Sequence, residues 1–275
     1  MKKLLFTFLL IPLCVMGAGD ENVYQRLVRQ AVTAMEDDSL QQAEILFRQA
    51  LQEAPAAQGN ALIWGHLASI AERTGREQEA LDDYQIALGL SPHTMGLLLG
   101  RASLYMKLGR EDRALVDYND VLDLREDHPE ALLMRAYIYQ HQRKYKEARK
   151  DYEQLLRVQP THEQALIGLA LVNDNDRRPQ EAMENIHRAV DLYPTHAAGY
   201  AIRAGMELDR GQYELAETDF TEAIRLEPKN PQYYLGRARL YSQMKNKRRA
   251  REDVREAARL GASAEEVAGV AGIKK

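Results

Sequence analysis

The segment MGLLLGRASLYMKLGREDRALVDYNDVLDLREDH, residues 95–128, reads as two helices joined by a tight turn. Leu98, Ala102 and Tyr105 fall at helical spacing, the Leu108-Gly109-Arg110 break follows, and Ala114, Tyr118 and Val121 resume the spacing. The turn therefore falls near Gly109. Helices of about 13 residues are marginal in isolation, so packing on neighbours must hold these two.

The neighbours are copies. Alanine recurs in two series, Ala31, Ala68, Ala102, Ala136, Ala170, Ala204, Ala238 and Ala43, Ala80, Ala114, Ala148, Ala182, Ala216, Ala250, every step being 34 except a first step of 37. A fixed period of this length marks a solenoid, in which one supersecondary unit stacks on copies of itself. Alanine where the two helices of a unit cross lets their backbones approach closely, and a larger side chain there would bring strain. At 275 residues the chain could form one or two globular domains, but the unbroken repeat predicts one elongated array. Abundant Ala, Leu, Glu and Arg, with prolines mostly at unit boundaries, favour helix throughout.

The pattern resembles the tetratricopeptide repeat (TPR) family. The second unit carries Trp64, Leu67, Ala68, Ala80, Tyr84, Ala87 and Pro92 at family positions 4, 7, 8, 20, 24, 27 and 32. Position 24 runs Phe47, Tyr84, Tyr118, Tyr152, Ile186, Phe220, Val254, and position 32 holds Pro55, Pro92, Pro160, Pro194 and Pro228. Glu126 and Ala262 replace the proline, and Asn173 and Glu207 replace the aromatic at position 11. The resemblance implies an all-α, right-handed α-solenoid of seven helix-turn-helix units, 24–57, 61–94, 95–128, 129–162, 163–196, 197–230 and 231–264, with three inserted residues at Gln58-Gly59-Asn60. A short capping helix is expected after them, because Ser263 and Glu266 have capping-box spacing and Val267, Val270 and Ile273 can share one side.

Residues 1–17 read as a secretory signal peptide, with 18–23 as a lead-in to the repeats. Lys2 and Lys3 precede the apolar run Leu4 to Met16, and small residues Gly17-Ala18-Gly19 follow. Thirteen apolar residues fall short of the roughly 17 to 25 that span a bilayer. The expectation is a periplasmic or secreted bacterial protein. The alternative is anchorage through an uncleaved leader or a lipidated Cys14, although Leu13 is not the small residue that lipidation needs before its cysteine. Cleavage after Gly17 would leave no cysteine, excluding disulfides and thiolate catalysis.

Without Lys2 and Lys3 the chain has 35 basic and 41 acidic residues, which argues against nucleic-acid binding. The last unit is the exception: Lys245, Lys247, Arg248, Arg249 and Arg251 form a candidate basic patch able to meet an anionic surface or an acidic partner. Arg101, Arg135, Arg203 and Arg237 each precede an aspartate by 16 residues, namely Asp117, Asp151, Asp219 and Asp253. A charge pair that returns with the period is expected to join the two helices of a unit, not to catalyse. His128, His162 and His196 close successive units, too far apart to share one zinc ion. The sequence carries no Gly-rich phosphate loop, His-Glu-x-x-His helix or serine elbow, so no catalytic, cofactor or metal site is expected.

The family resemblance further implies that positions 2, 5, 6, 9 and 12 of each first helix line a concave surface. Here these give an apolar or small lining whose candidate partner-binding residues are Leu99, Leu133, Met134, Tyr137, Ile167, Leu171, Ile202 and Leu208. The Lys and Asn that clamp chaperone carboxylate tails in some TPR proteins are missing. Either the lining receives a strand, loop or helix of another protein, or it packs within the array. The expected function is a non-catalytic adaptor of the bacterial envelope that binds a protein or peptide. The alternatives are the same scaffold held at a membrane, or an accessory subunit of an envelope enzyme or assembly complex.

Overall fold

The computed structural model describes residues 21–271, and these form fifteen helices with no strand among them. In chain order they are α1 (Val23–Glu36), α2 (Leu40–Glu53), α3 (Asn60–Arg73), α4 (Glu77–Leu90), α5 (Met95–Lys107), α6 (Glu111–Leu124), α7 (Pro129–His141) and α8 (Tyr145–Val158). They continue as α9 (Glu163–Asn175), α10 (Pro179–Leu192), α11 (Ala197–Asp209), α12 (Tyr213–Leu226), α13 (Pro231–Gln243), α14 (Lys247–Arg259) and α15 (Ala264–Ala271). The all-α class and the helix-pair repeat agree with the sequence reading. The leader with Cys14, and Ile273, lie outside the described residues. The helices fall into two compact bodies, divided between Ala131 and Leu132.

Both alanine series are fully buried, as expected of residues at a helix crossing. Six first helices pack most extensively on the second helix of their own repeat: α1 on α2, α3 on α4 and α5 on α6 in the first body, and α9 on α10, α11 on α12 and α13 on α14 in the second.

One backbone device makes every intra-repeat turn. Asp38, Gly75, Gly109, Arg143, Arg177, Gly211 and Lys245 all have positive φ, between 57° and 76°. The next residue donates its N–H five residues back, as in Arg110 to the Tyr105 carbonyl (2.8 Å) and Lys144 to that of Tyr139 (2.8 Å). This is the Schellman ending, which satisfies a carbonyl left open at the helix terminus. Glycine at Gly109 adopts it without Cβ strain, whereas Arg143 and Arg177 hold the same geometry at a cost of roughly 1–2 kcal/mol.

The four expected charge pairs join first helix to second. Arg101 Nε and Nη2 lie 2.9 and 2.7 Å from the Asp117 carboxylate, and Arg135–Asp151, Arg203–Asp219 and Arg237–Asp253 repeat the two-pronged geometry. Three of the arginines also lie over the tyrosine one turn on, Tyr105, Tyr139 or Tyr241, about 6 Å from the ring centre. Burial outweighs the guanidinium at Asp117, holding its carboxyl above the usual range. Such a pair fixes geometry more than it stabilises.

The inserted residues have a structural use. Asn60 is buried at the start of α3, donates to the Ala54 and Pro55 carbonyls (2.9 and 3.0 Å), and accepts from the Tyr24 hydroxyl (3.2 Å). At the other terminus α15 has its capping box, with Ser263 N–H donating to Glu266 Oε2 (2.7 Å) and Glu266 N–H to Ser263 Oγ (3.2 Å). Its Val267 and buried Val270 cover Leu235, Ala238 and Ala257.

Candidate functional site

Within the second body the first helices α9, α11 and α13 pack in series. Tyr152 of α8 links that series to α7, because its ring lies against Gly168 of α9 and its hydroxyl donates to Gln140 Oε1 of α7 (3.1 Å). Burial, with Tyr137 adding to it, raises the Tyr152 phenol above its ordinary range, so it serves as a neutral donor.

Position 9 of these helices forms a graded row of Tyr137, Leu171, Gly205 and Arg239. Tyr137 is 41% exposed, its ring 4.1 Å from that of His141. Leu133, Met134, Ile167 and Leu171 are half-buried. A Cβ built on Gly205 would meet nothing within 4 Å, so the surface is open there. Arg239 is exposed, with no ion-pair partner among the described residues. The sequence reading passed over Arg239 in this role, although the period places it in the row.

The structure corrects two expected lining residues and places a third, the half-buried Ile202, against the neighbouring repeat. Leu99 of α5, in the first body, and Leu208 of α11 are only 8% and 7% exposed and belong to the helix-pair interior. Leu208 packs with Ala204, Ala216, Phe220 and Leu240. Ile202 occupies position 6, which faces position 24 of the preceding repeat, and it packs against the cluster containing Ile186 and Met206. Ile167 and Leu171 lean on the same cluster while keeping part of their surface open.

In the basic patch Lys245, Lys247, Arg248, Arg249 and Arg251 are all exposed. Arg249 is committed internally, 2.9 Å from Glu217 and over the Tyr241 ring at 5.4 Å. Arg248, 81% exposed, reaches Glu252 at 3.7 Å. The end-of-repeat histidines cap or brace helices. His128 and His162 Nδ1 accept the N–H of Ala131 and Ala165 (3.4 and 3.3 Å), and His196 Nδ1 lies 2.8 Å from Glu163 Oε2.

Two buried carboxyls break the pattern. Asp83 stands where other repeats place the paired aspartate, but Leu67 replaces its arginine; burial pushes it up to about 6 and leaves Oδ2 without a hydrogen bond. Glu207 stands at the aromatic position 11; burial, with Asp219 adding, pushes it up to about 7, and Oε2 is unbonded. Each touches packed helices and lies off the open row, so both are internal irregularities.

Three tetratricopeptide repeat models match the chain, one over residues 28–93 and 207–265, one over 96–128 and one over 129–162. No curated protein matches it. Among solved structures, a tetratricopeptide repeat protein from Parabacteroides merdae is 26% identical with a TM-score of 0.74, the match covering 91% of this chain and 98% of that one. MamA from Desulfovibrio magneticus is 24% identical with a TM-score of 0.59, over 62% of this chain and 98% of its own. YrrB, described as having an unusual peptide-binding site, is 18% identical with a TM-score of 0.51, over 69% of this chain and 97% of its own. The last two share the fold.

Proposed function

The chain belongs to the tetratricopeptide repeat family, and from that premise we propose that it is a non-catalytic adaptor of the bacterial envelope whose second body receives a polypeptide partner. The observation that carries this reading is the open row at position 9, where an exposed aromatic, a half-buried leucine, a bare glycine and an arginine without an ion-pair partner among the described residues follow one another on successive first helices.

Each member suits one part of a peptide. Tyr137 and the adaptable Met134 offer an apolar anchor. Gly205 admits a backbone at close range, and Arg239 suits a carboxylate. Covering the remaining exposure of five apolar side chains is worth roughly 1 kcal/mol each, against an association cost of about 4–15 kcal/mol. A weak, exchangeable complex follows unless charge at Arg239 adds to it. Tight carboxylate clamping is not part of this reading. The peptide site of YrrB supports it only as an instance of the fold being put to that use.

The envelope assignment rests on residues 1–17 acting as a cleaved leader. Intact-mass analysis of natively expressed protein tests it. A mature chain beginning at or near Ala18 is expected, and one beginning at Cys14 with added acyl mass would place the scaffold on a membrane surface. For the surface itself, Tyr137→Ala and Arg239→Glu should weaken partner capture while leaving the thermal midpoint nearly unchanged. Loss of helicity in either variant would make these residues packing elements and overturn the reading.

A further inference from the structure

A second surface follows from the way successive repeats are bonded. In four repeats, 24–57, 61–94, 129–162 and 197–230, polar residues at positions 21 and 25 of the second helix bond to the following repeat, forming a seam. In the first body Glu44 bonds Arg76 (2.6 Å), Arg48 bonds Glu79 (2.8 Å) and Gln85 bonds Arg101 (3.1 Å). In the second body Arg149 bonds Asn173 (2.8 Å) and pairs with Asp176, Glu217 accepts from Tyr241 (2.9 Å), and Thr221 accepts from Arg237 (3.0 Å). Where the seam residue is an arginine, as at Arg48 and Arg149, the following helix pair supplies a carboxylate.

In the last repeat these two positions are Arg251 and Arg255, and both are exposed. The apolar side of α14 is covered, because α15 packs there through Val267 and Val270, but α15 brings no group to the two arginines. Nor can α14 neutralise them. Its three carboxylates are engaged, Glu252 with Arg248, Asp253 with Arg237 and Glu256 with Arg259. Lys247, Arg251 and Arg255, four residues apart, therefore form a cationic stripe about 12 Å long without ion-pair partners among the described residues.

The stripe also departs from the pattern of five other second helices, although α2 likewise has no acid in its first turn. In α4, α6, α8, α10 and α12 the first turn carries a Glu or Asp, which suits the positive end of the helix dipole. The first turn of α14 carries Lys247, Arg248 and Arg249 and no acid. Arg248 and Arg249 are paired with Glu252 and Glu217, which leaves Lys247 as the cation of this turn without an ion-pair partner among the described residues.

We propose that the α14 face bearing Lys247, Arg251 and Arg255 docks an acidic helical segment of a partner protein, whose carboxylates take the place that a following repeat gives to Glu79 or Asp176. This goes beyond the row on the first helices and stands on different residues. A lipid surface fits less well, since the interfacial helix it favours exposes large apolar side chains. The apolar residues Ala250 and Ala257 of α14 are buried and Val254 is half-buried.

The test uses the full chain and two synthetic helical peptides, one with glutamate at every fourth position and one with glutamine in its place. Titration should give saturable binding of the glutamate peptide alone. The variant R251E/R255E should weaken it about tenfold or more. The control K146E/K150E, which alters net charge equally on α8, should leave it unchanged. Equal loss in both variants would reduce the effect to net charge and overturn the proposal, as would full binding by R251E/R255E. Phosphatidylglycerol vesicles and sedimentation of the chain alone complete the test: capture by vesicles or self-association that depends on Arg251 and Arg255, without binding of the glutamate peptide, would assign the stripe to lipid or to a second copy and overturn it too.

Discussion

Tyr152 lies against Gly168 so closely that a Cβ at 168 would fall 2.7 Å from its ring Cε1 and hydroxyl oxygen. The same relation recurs every second repeat, at intervals of 68 residues. Tyr84 lies on Gly100 and Phe220 on Gly236, each with the ring Cζ 2.8 Å from a built Cβ. Where position 24 is the smaller Ile186, position 6 is the larger Ile202, and where position 6 is His66 its ring stacks on Phe47 at 5.1 Å. At these five joints neighbouring repeats therefore share volume between positions 24 and 6, so Ile202 belongs to the joint and not to the binding surface.

Gly168→Ala should consequently destabilise the second body by roughly 1–3 kcal/mol, because the Tyr152 ring must move to admit the methyl group. Gly205→Ala, in open space on α11, should do the reverse and gain up to about 1 kcal/mol of helix propensity. Thermal unfolding of both variants distinguishes a packed glycine from a free one.

Breaking one charge pair from one side tests the view that these pairs set geometry. Arg101→Met leaves the buried Asp117 carboxylate without its partner and should cost about 3 kcal/mol. Combining it with Asp117→Leu should recover most of that loss. Urea midpoints for the two single variants and the double variant give the coupling directly.

The two orphan carboxyls predict an uncommon pH dependence. A carboxyl raised in the folded state contributes no penalty below its unfolded pKa and a growing one as pH climbs to its folded pKa. Glu207, raised from 4.5 to about 7, should erode stability across that interval, and Asp83, raised from 3.8 to about 6, across a lower one. At 1.36 kcal/mol per unit, Glu207 alone accounts for on the order of 3 kcal/mol. Glu207→Gln and Asp83→Asn should each raise the thermal midpoint at pH 8 and leave it nearly unchanged at pH 4. Equal gains at both values would show that ionisation is not responsible.

The periodic alanines made the helix pairs legible in the sequence, because a residue confined to a crossing leaves a trace at a fixed interval. Gly109 located its turn for the same reason. Arg143, Arg177 and Lys245 adopt the same left-handed geometry, yet nothing in their chemistry announces it. The lining was harder to read. Ile202 and Leu171 are both apolar and both on first helices, and only their angular position separates a joint from an open face. Arg239 reads in the sequence as one more charge of the basic last unit, and joins the row only when Tyr137, Leu171 and Gly205 are seen beside it in register. The histidines at 128 and 162 were placed correctly at the repeat ends, but their N-capping depends on ring orientation, which spacing alone does not specify.

The central claim, that the first-helix row of the second body receives a polypeptide, is tested most directly by site-specific photo-cross-linking in the native host. A benzophenone amino acid replaces Tyr137 in one strain and the still more exposed Leu215, on the second helix α12, in another. The account predicts a discrete polypeptide adduct from position 137 and none from position 215, with the adduct diminished by Arg239→Glu. Adducts from 215 alone, or none from 137, would contradict it.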